Sequence, residues 1–241
     1  MATEIDPATR LLKVVKDYRA ACERLRRATI ADAWAAVFGC EKTMTGLIYE
    51  NLGWLLELVD EVDDTIQSKP ELNPDLYLID FDRLRTGLMP RKLDTPLSAS
   101  PCPFDRGLEA RLEFCSLQML KETVLEPATI KDIRNSIDEL YESLKAADLT
   151  AYLRTALMAV VSTMRRALDE YEIRGLKALK QSFGLMLIEV AAHHREIKAK
   201  PDGPWKTAIA VVAGKFKSAI ETGSNMATLI EFVPFASELL K

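Results

Sequence analysis

Glu189, His193, His194 and Glu196 form the one local grouping of metal-ligating residue types, and they contain both histidines of the chain. Glu189 and His193 are a helical turn apart, so on a helix their side chains share a face and could hold a divalent cation between them. Glu196 is the third candidate ligand. Carboxylate-bridged metal bundles draw Glu-x-x-His pairs and further carboxylates from several helices, and no such pattern accompanies these residues. Histidines in the last turns of a helix also interact favourably with its dipole, and one on an apolar seam serves as a hydrogen-bonded core residue. The structural role is therefore the expectation, with no cofactor.

Cys22, Cys40, Cys102 and Cys115 are never closer than thirteen positions. No CxxC pair exists to clamp zinc or run thiol exchange, and four spread thiols read as reduced cysteines. Arg24, Arg26 and Arg27, with Arg165 and Arg166, are basic clusters on helices. A net charge of -4 and the lack of any nucleic-acid motif assign them to the acidic helix faces of the chain rather than to phosphates. Gly214-Lys215 lacks the upstream glycine of a phosphate-binding loop, and no GxGxxG, GxSxG or HExxH occurs. An activated nucleophile beside a base is not legible, so catalysis is unsupported.

Helices must carry whatever these residues do. From Leu149 to Lys198 no proline intervenes, and Leu157, Val161, Met164, Leu168, Tyr171, Gly175, Leu179, Phe183, Met186, Val190 and Ile197 recur at the spacing of a packed seam. The expectation is one long helix over about 149–198, roughly 70 Å from end to end at 1.5 Å per residue. A lone glycine costs a helix only about 1 kcal/mol, so Gly175 reads as a bend. Met164→Asp or Leu168→Asp should unfold or dissociate such a protein, and Arg174→Ala should do little.

The remaining helices follow from caps and stops. Asp6-Pro7 starts the first; Thr29 with Asp32 caps the second, which stops at Gly39, with one bent helix over both as the alternative; a third runs from about Met44 to Ser68 with an acidic second half. Asn73-Pro74 opens a shorter one to Gly87. Pro90, Pro96, Pro101 and Pro103 mark the segment from Met89 to Asp105 as a long loop, either a bundle connection or a partner-binding loop. A helix follows from Asp105 to about Leu125. Thr129 with Asp132 caps the next, whose Ile130, Ile133, Ile137, Leu140 and Leu144 should pack against the first half of the long helix. After the turn at Lys200 to Pro204, the segment from Trp205 to Thr222 is apolar on every side and should be buried all round or lie against something else apolar, and Asn225 to Leu240 completes a C-terminal brace at 204–241.

The fold class predicted is all-α: an elongated bundle of eight or nine helices built around the long one, as a single domain over 1–241. Seven basic residues interrupt the first thirty positions and no apolar run reaches membrane-spanning length, so a soluble, cytoplasmic protein is expected. The function expected is a non-catalytic helical scaffold acting through protein–protein contacts or self-association, using an exposed part of the long helix or the loop from Met89 to Asp105. Two alternatives stay open: a membrane-active, toxin-like effector that releases its C-terminal helices, and a helical enzyme with metal at Glu189, His193 and Glu196.

Overall fold

The computed structural model describes residues 4–25 and 27–223. Among them the fold is all-α, with twelve helices rather than eight or nine, and one pair of two-residue strands, β1 (Glu4–Ile5) and β2 (Glu122–Thr123). The sequence reading takes 1–241 as one domain; the backbone gathers into two compact units, Ile5–Lys121 and Glu122–Lys241 with Met1–Glu4.

In the Ile5–Lys121 unit, α1 (Pro7–Arg24) begins as its cap predicts: the Asp6 carboxylate accepts from Thr9 N–H at 2.9 Å, with Pro7 in the first turn. Asp6 is buried, and it also accepts from Ser116 Oγ at 2.8 Å on α6 (Arg106–Ser116), tying the unit's first helix to its last. α2 (Ile30–Phe38) carries the full capping box of Thr29 and Asp32 and ends at Gly39 in the left-handed region. α3 (Thr45–Gln67) buries Ile48, Leu52, Leu55, Val59, Val62 and Ile66. The segment expected as one helix to Gly87 splits into α4 (Pro74–Tyr77) and α5 (Phe81–Leu88). α1 packs against α2, α3 and α6, and α3 against α5. The helix after Asp105 stops at Ser116, short of Leu125.

In the other unit the seam is buried as expected, but it is not one rod. α8 (Ala151–Asp169) gives way to a single turn, α9 (Tyr171–Arg174); Gly175 then takes φ 59° and ψ -145°, and α10 (Leu176–Ala192) follows. α8 and α10 pack on each other, so the chain reverses where a continuous helix was expected. The long helix at about 149–198 is thus a helical hairpin, extended past His193 by α11 (His194–Ala199). The physical cause is distributed. Gly175 adopts a conformation closed to residues with a Cβ, and the Glu122 carboxylate, 54 positions back, accepts the Leu176 N–H at 3.2 Å and so supplies the new helix start with a partner. Six residues between helix ends are enough to make antiparallel neighbours.

α7 (Pro127–Ala146) starts at Pro127 without a side-chain cap, not at Thr129; Asp132 instead accepts from Lys215 Nζ at 2.7 Å. α7 packs on α8, as its spacing predicts, and on α12 (Pro204–Gly223), which also touches α10. Four helices therefore enclose a core of Ile137, Leu140, Leu157, Met164, Phe183 and Phe216. Full burial is not found for α12: Trp205, Ile209, Val212, Phe216 and Ile220 face inward and Val211 is exposed. The brace segment from Asn225 to Leu240 lies outside the described residues.

Candidate functional site

The loop from Met89 to Asp105 is where the Ile5–Lys121 unit concentrates its chemistry. It has no helix or strand of its own, yet it is firmly seated. Its carbonyls at Leu93 and Thr95 accept the Ala31 and Ile30 N–H groups at 2.8 and 3.0 Å. With Thr29 Oγ1 accepting from Asp32 N–H, every donor of the first turn of α2 finds an acceptor. Leu93, Leu97 and Phe104 are buried. The loop also lies tightly on α5: a Cβ on Gly87 would sit 2.4 Å from the Phe104 ring and 2.8 Å from Pro103. Only a residue without a side chain allows that approach. Between the loop, α1 and α5 remains a cleft of about 310 Å³ lined by Tyr18, Thr86, Arg91, Lys92, Ser100 and Pro103, among others.

Beside this cleft two cysteines meet. Cys22, in the last turns of α1, and Cys102, held between Pro101 and Pro103, interact side chain to side chain, and the Tyr18 hydroxyl one turn earlier on α1 interacts with Cys22. Tyr18 is itself fixed, stacked on Trp34 at 4.0 Å between ring centroids and edge-on to Phe104 at 5.4 Å. The Cys102 Sγ lies 3.5 Å from the Phe104 carbonyl. Arg19, which pairs with Glu109 at 2.6 Å and Glu23 at 3.2 Å, adds positive charge nearby.

This arrangement separates the thiols. The hydrogen bond from Cys22 is the main reason that the Cys102 pKa falls to about 7, with the Phe104 backbone and Arg19 contributing, against burial. Cys22, partly buried beside Cys102, is pushed far up, and burial holds the Tyr18 hydroxyl far up too. Cys115 is buried, which raises it to about 12, and burial raises Cys40 as well. Of the four thiols Cys102 is the one whose pKa is lowered, and the thiolate is the reactive form. Sequence spacing offered no sign of this pair, whose members are 80 positions apart; only the turn of α1 and the seating of the proline-rich loop bring them together.

The residues singled out from sequence are distributed differently. His193 Nε2 lies 3.7 Å from Glu189 Oε2, so those two do meet, and the His193 ring rests edge-on against Tyr152 at 5.1 Å. Glu196 does not join them: its carboxylate accepts from Thr150 Oγ1, the cap of α8, at 2.5 Å. No three His, Cys, Asp or Glu side chains converge as a metal set among the described residues. Arg165 pairs with Asp138 at 2.6 Å and Arg166 with Glu170 at 2.6 Å, while the acids of α3 are met by Arg85, 3.1 Å from Asp60 and 2.5 Å from Asp63. Arg26 lies outside the described residues.

The surface of the same Ile5–Lys121 unit holds a second feature. Leu76 and Ile79 form one row three residues apart, and Phe114, Leu117 and Leu120 form another, at exposures from 56% to 80%. The segments that carry them meet. Arg111 Nη1 donates to the Leu76 carbonyl at 2.8 Å, and Cys115 Sγ lies 3.8 Å from the Tyr77 carbonyl, so α4 lies along the end of α6. Scattered apolar side chains on a surface are ordinary, but five large ones in two neighbouring rows are not.

No helix among the described residues is long and apolar enough to cross a membrane. No protein-family model matches the chain, and neither the curated proteins nor the solved structures give a match to it.

Proposed function

We propose that this protein is a non-catalytic helical interaction protein whose contact surface is the exposed apolar residues of α4, of α6 and of the turns that follow them. The observation that supports this is the exposure of Leu76, Ile79, Phe114, Leu117 and Leu120 on two segments that meet at the Arg111–Leu76 and Cys115–Tyr77 contacts. Each is large enough to gain about 1.5–3 kcal/mol on full burial, and an apolar cluster rimmed by charge is the composition of an interface core. Arg111 at its edge, hydrogen-bonded to the Leu76 carbonyl, and Glu113 beside Phe114 supply such a rim. The partner is a protein presenting an apolar helix or groove, a second copy of the chain included.

The experiment is a comparison of cross-linked complexes recovered with the wild-type chain and with Leu117→Lys. An exposed leucine contributes little to the fold, so the variant should remain folded by circular dichroism. Complexes formed by the wild type and lost in the variant support the reading; the same complexes from both chains overturn it.

A further inference from the structure

We infer that Cys22 and Cys102 are a reversible oxidation site, at which a hydroperoxide converts the two facing thiols into a disulfide that staples the loop from Met89 to Asp105 onto α1. The placement supports it in three ways. The two side chains interact, coming from a helix and from a loop 80 positions away; Tyr18, one turn before Cys22, rests edge-on at 5.4 Å against Phe104, whose carbonyl lies 3.5 Å from the Cys102 Sγ. Both residues are only partly buried, so a small oxidant can reach them. And the loop is pinned on either side of Cys102, by Pro103 and Phe104 on Gly87 and by the Leu93 and Thr95 carbonyls on α2, which keeps Cys102 at Cys22 rather than sampling other partners.

The chemistry balances in two steps. The Cys102 thiolate attacks the outer oxygen of ROOH, the O–O bond breaks, and with one proton the products are the Cys102 sulfenic acid and ROH. The Cys22 sulfur then attacks the sulfenic sulfur; its S–H proton and the departing hydroxide leave as water, and the S–S bond forms. Two thiols lose two electrons and two protons, and one hydroperoxide is reduced. A thiol reductant reverses the change by exchange. Cys115, fully buried on α6, is left out of reach.

The test uses the full chain, reduced, freed of reductant and then treated with hydrogen peroxide before the remaining thiols are alkylated and the digest is weighed. The expected result is joint loss of two thiols, a single linked species joining the Cys22 and Cys102 peptides, recovery of both thiols with dithiothreitol, and oxidation of Cys102 at least about tenfold faster than of Cys40. In Cys22→Ser the sulfenic acid should persist on Cys102 and be trapped by a cyclic 1,3-dione. Peroxide that leaves Cys22 and Cys102 unlinked in the wild type, or links either to Cys40, Cys115 or another chain, overturns the inference.

Discussion

Arg174 donates to the Glu170 carboxylate at 2.8 Å across the single turn that ends the first arm of the α8–α10 hairpin, and Glu170 is buried. Arg166 holds the other carboxylate oxygen at 2.6 Å. A buried carboxylate with one of its two partners removed is left partly unsatisfied, at a cost of about 1–3 kcal/mol. Arg174→Ala should therefore lower stability in urea by that amount, contrary to the mild effect that position suggests in the sequence. Met164→Asp, which puts a charge at a fully buried site, should cost more, several kcal/mol. Equal denaturation midpoints for wild type and Arg174→Ala would remove the bridge from the account.

Gly175 and Gly184 make a matched pair. Gly175 sits at φ 59° and ψ -145°, so Gly175→Ala should lose about 1–3 kcal/mol through backbone strain alone. Gly184 lies inside α10 with nothing within 4 Å of a Cβ position. There, Gly184→Ala should gain up to about 1 kcal/mol, since alanine is the better helix former and restricts the unfolded chain. Opposite signs for the two substitutions in the same denaturation experiment are the expected outcome; a gain at Gly175 would mean the hairpin turn is wrongly placed.

Asp105 links the loop to α6. It caps that helix through the Leu108 N–H at 2.9 Å and pairs with Arg83, and the Arg83 hydrogen bond, with the cap second, holds its pKa down to about 2. A depressed carboxylate stabilises the fold above its unfolded value of about 4 and loses that contribution as the pH falls towards 2. The side chain is about half exposed, 55%, so solvent screening keeps the ion pair itself below about 1 kcal/mol. Asp105→Asn should flatten the fall in stability between about pH 4 and pH 2. An unchanged acid limb in the variant would count against the pair.

Cys102 should also be visible to simple alkylation. With a pKa of about 7, its reaction with iodoacetamide should rise through pH 7 and level off by about pH 8, because the thiolate fraction saturates there. Cys22→Ser replaces the sulfur whose hydrogen bond is the first cause of the shift, and the profile should move to higher pH. Mass spectrometry of the alkylated peptides reads both. A Cys102 profile no different from that of Cys40 would show the two thiols apart.

Local chemistry was legible in the chain wherever a structure depends on neighbours in sequence. The Asp6-Pro7 start, the Thr29–Asp32 capping box, the Gly39 stop and the loop from Met89 to Asp105 all appear as read, because caps and proline constraints act over three or four residues. The reversal at Gly175 was not legible: its partners are Glu122 and the packing of α8 on α10, which no window around the glycine contains. The same holds for the split at Lys121, where no glycine- or proline-rich linker marks the change of unit. The candidate site divides likewise. Glu189 and His193, one turn apart, are indeed neighbours, whereas Cys22 and Cys102 are joined only by tertiary structure, and Glu196 was taken away by Thr150, a residue 46 positions earlier.

The proposed contact surface is tested most directly by placing a photo-cross-linking amino acid at Leu117 and, as a control, at the exposed Glu139 of α7, then irradiating cells that make the protein. A discrete adduct is expected from position 117, either with another protein or at twice the chain mass, and none from position 139. No adduct from 117, or the same adducts from both positions, would contradict it.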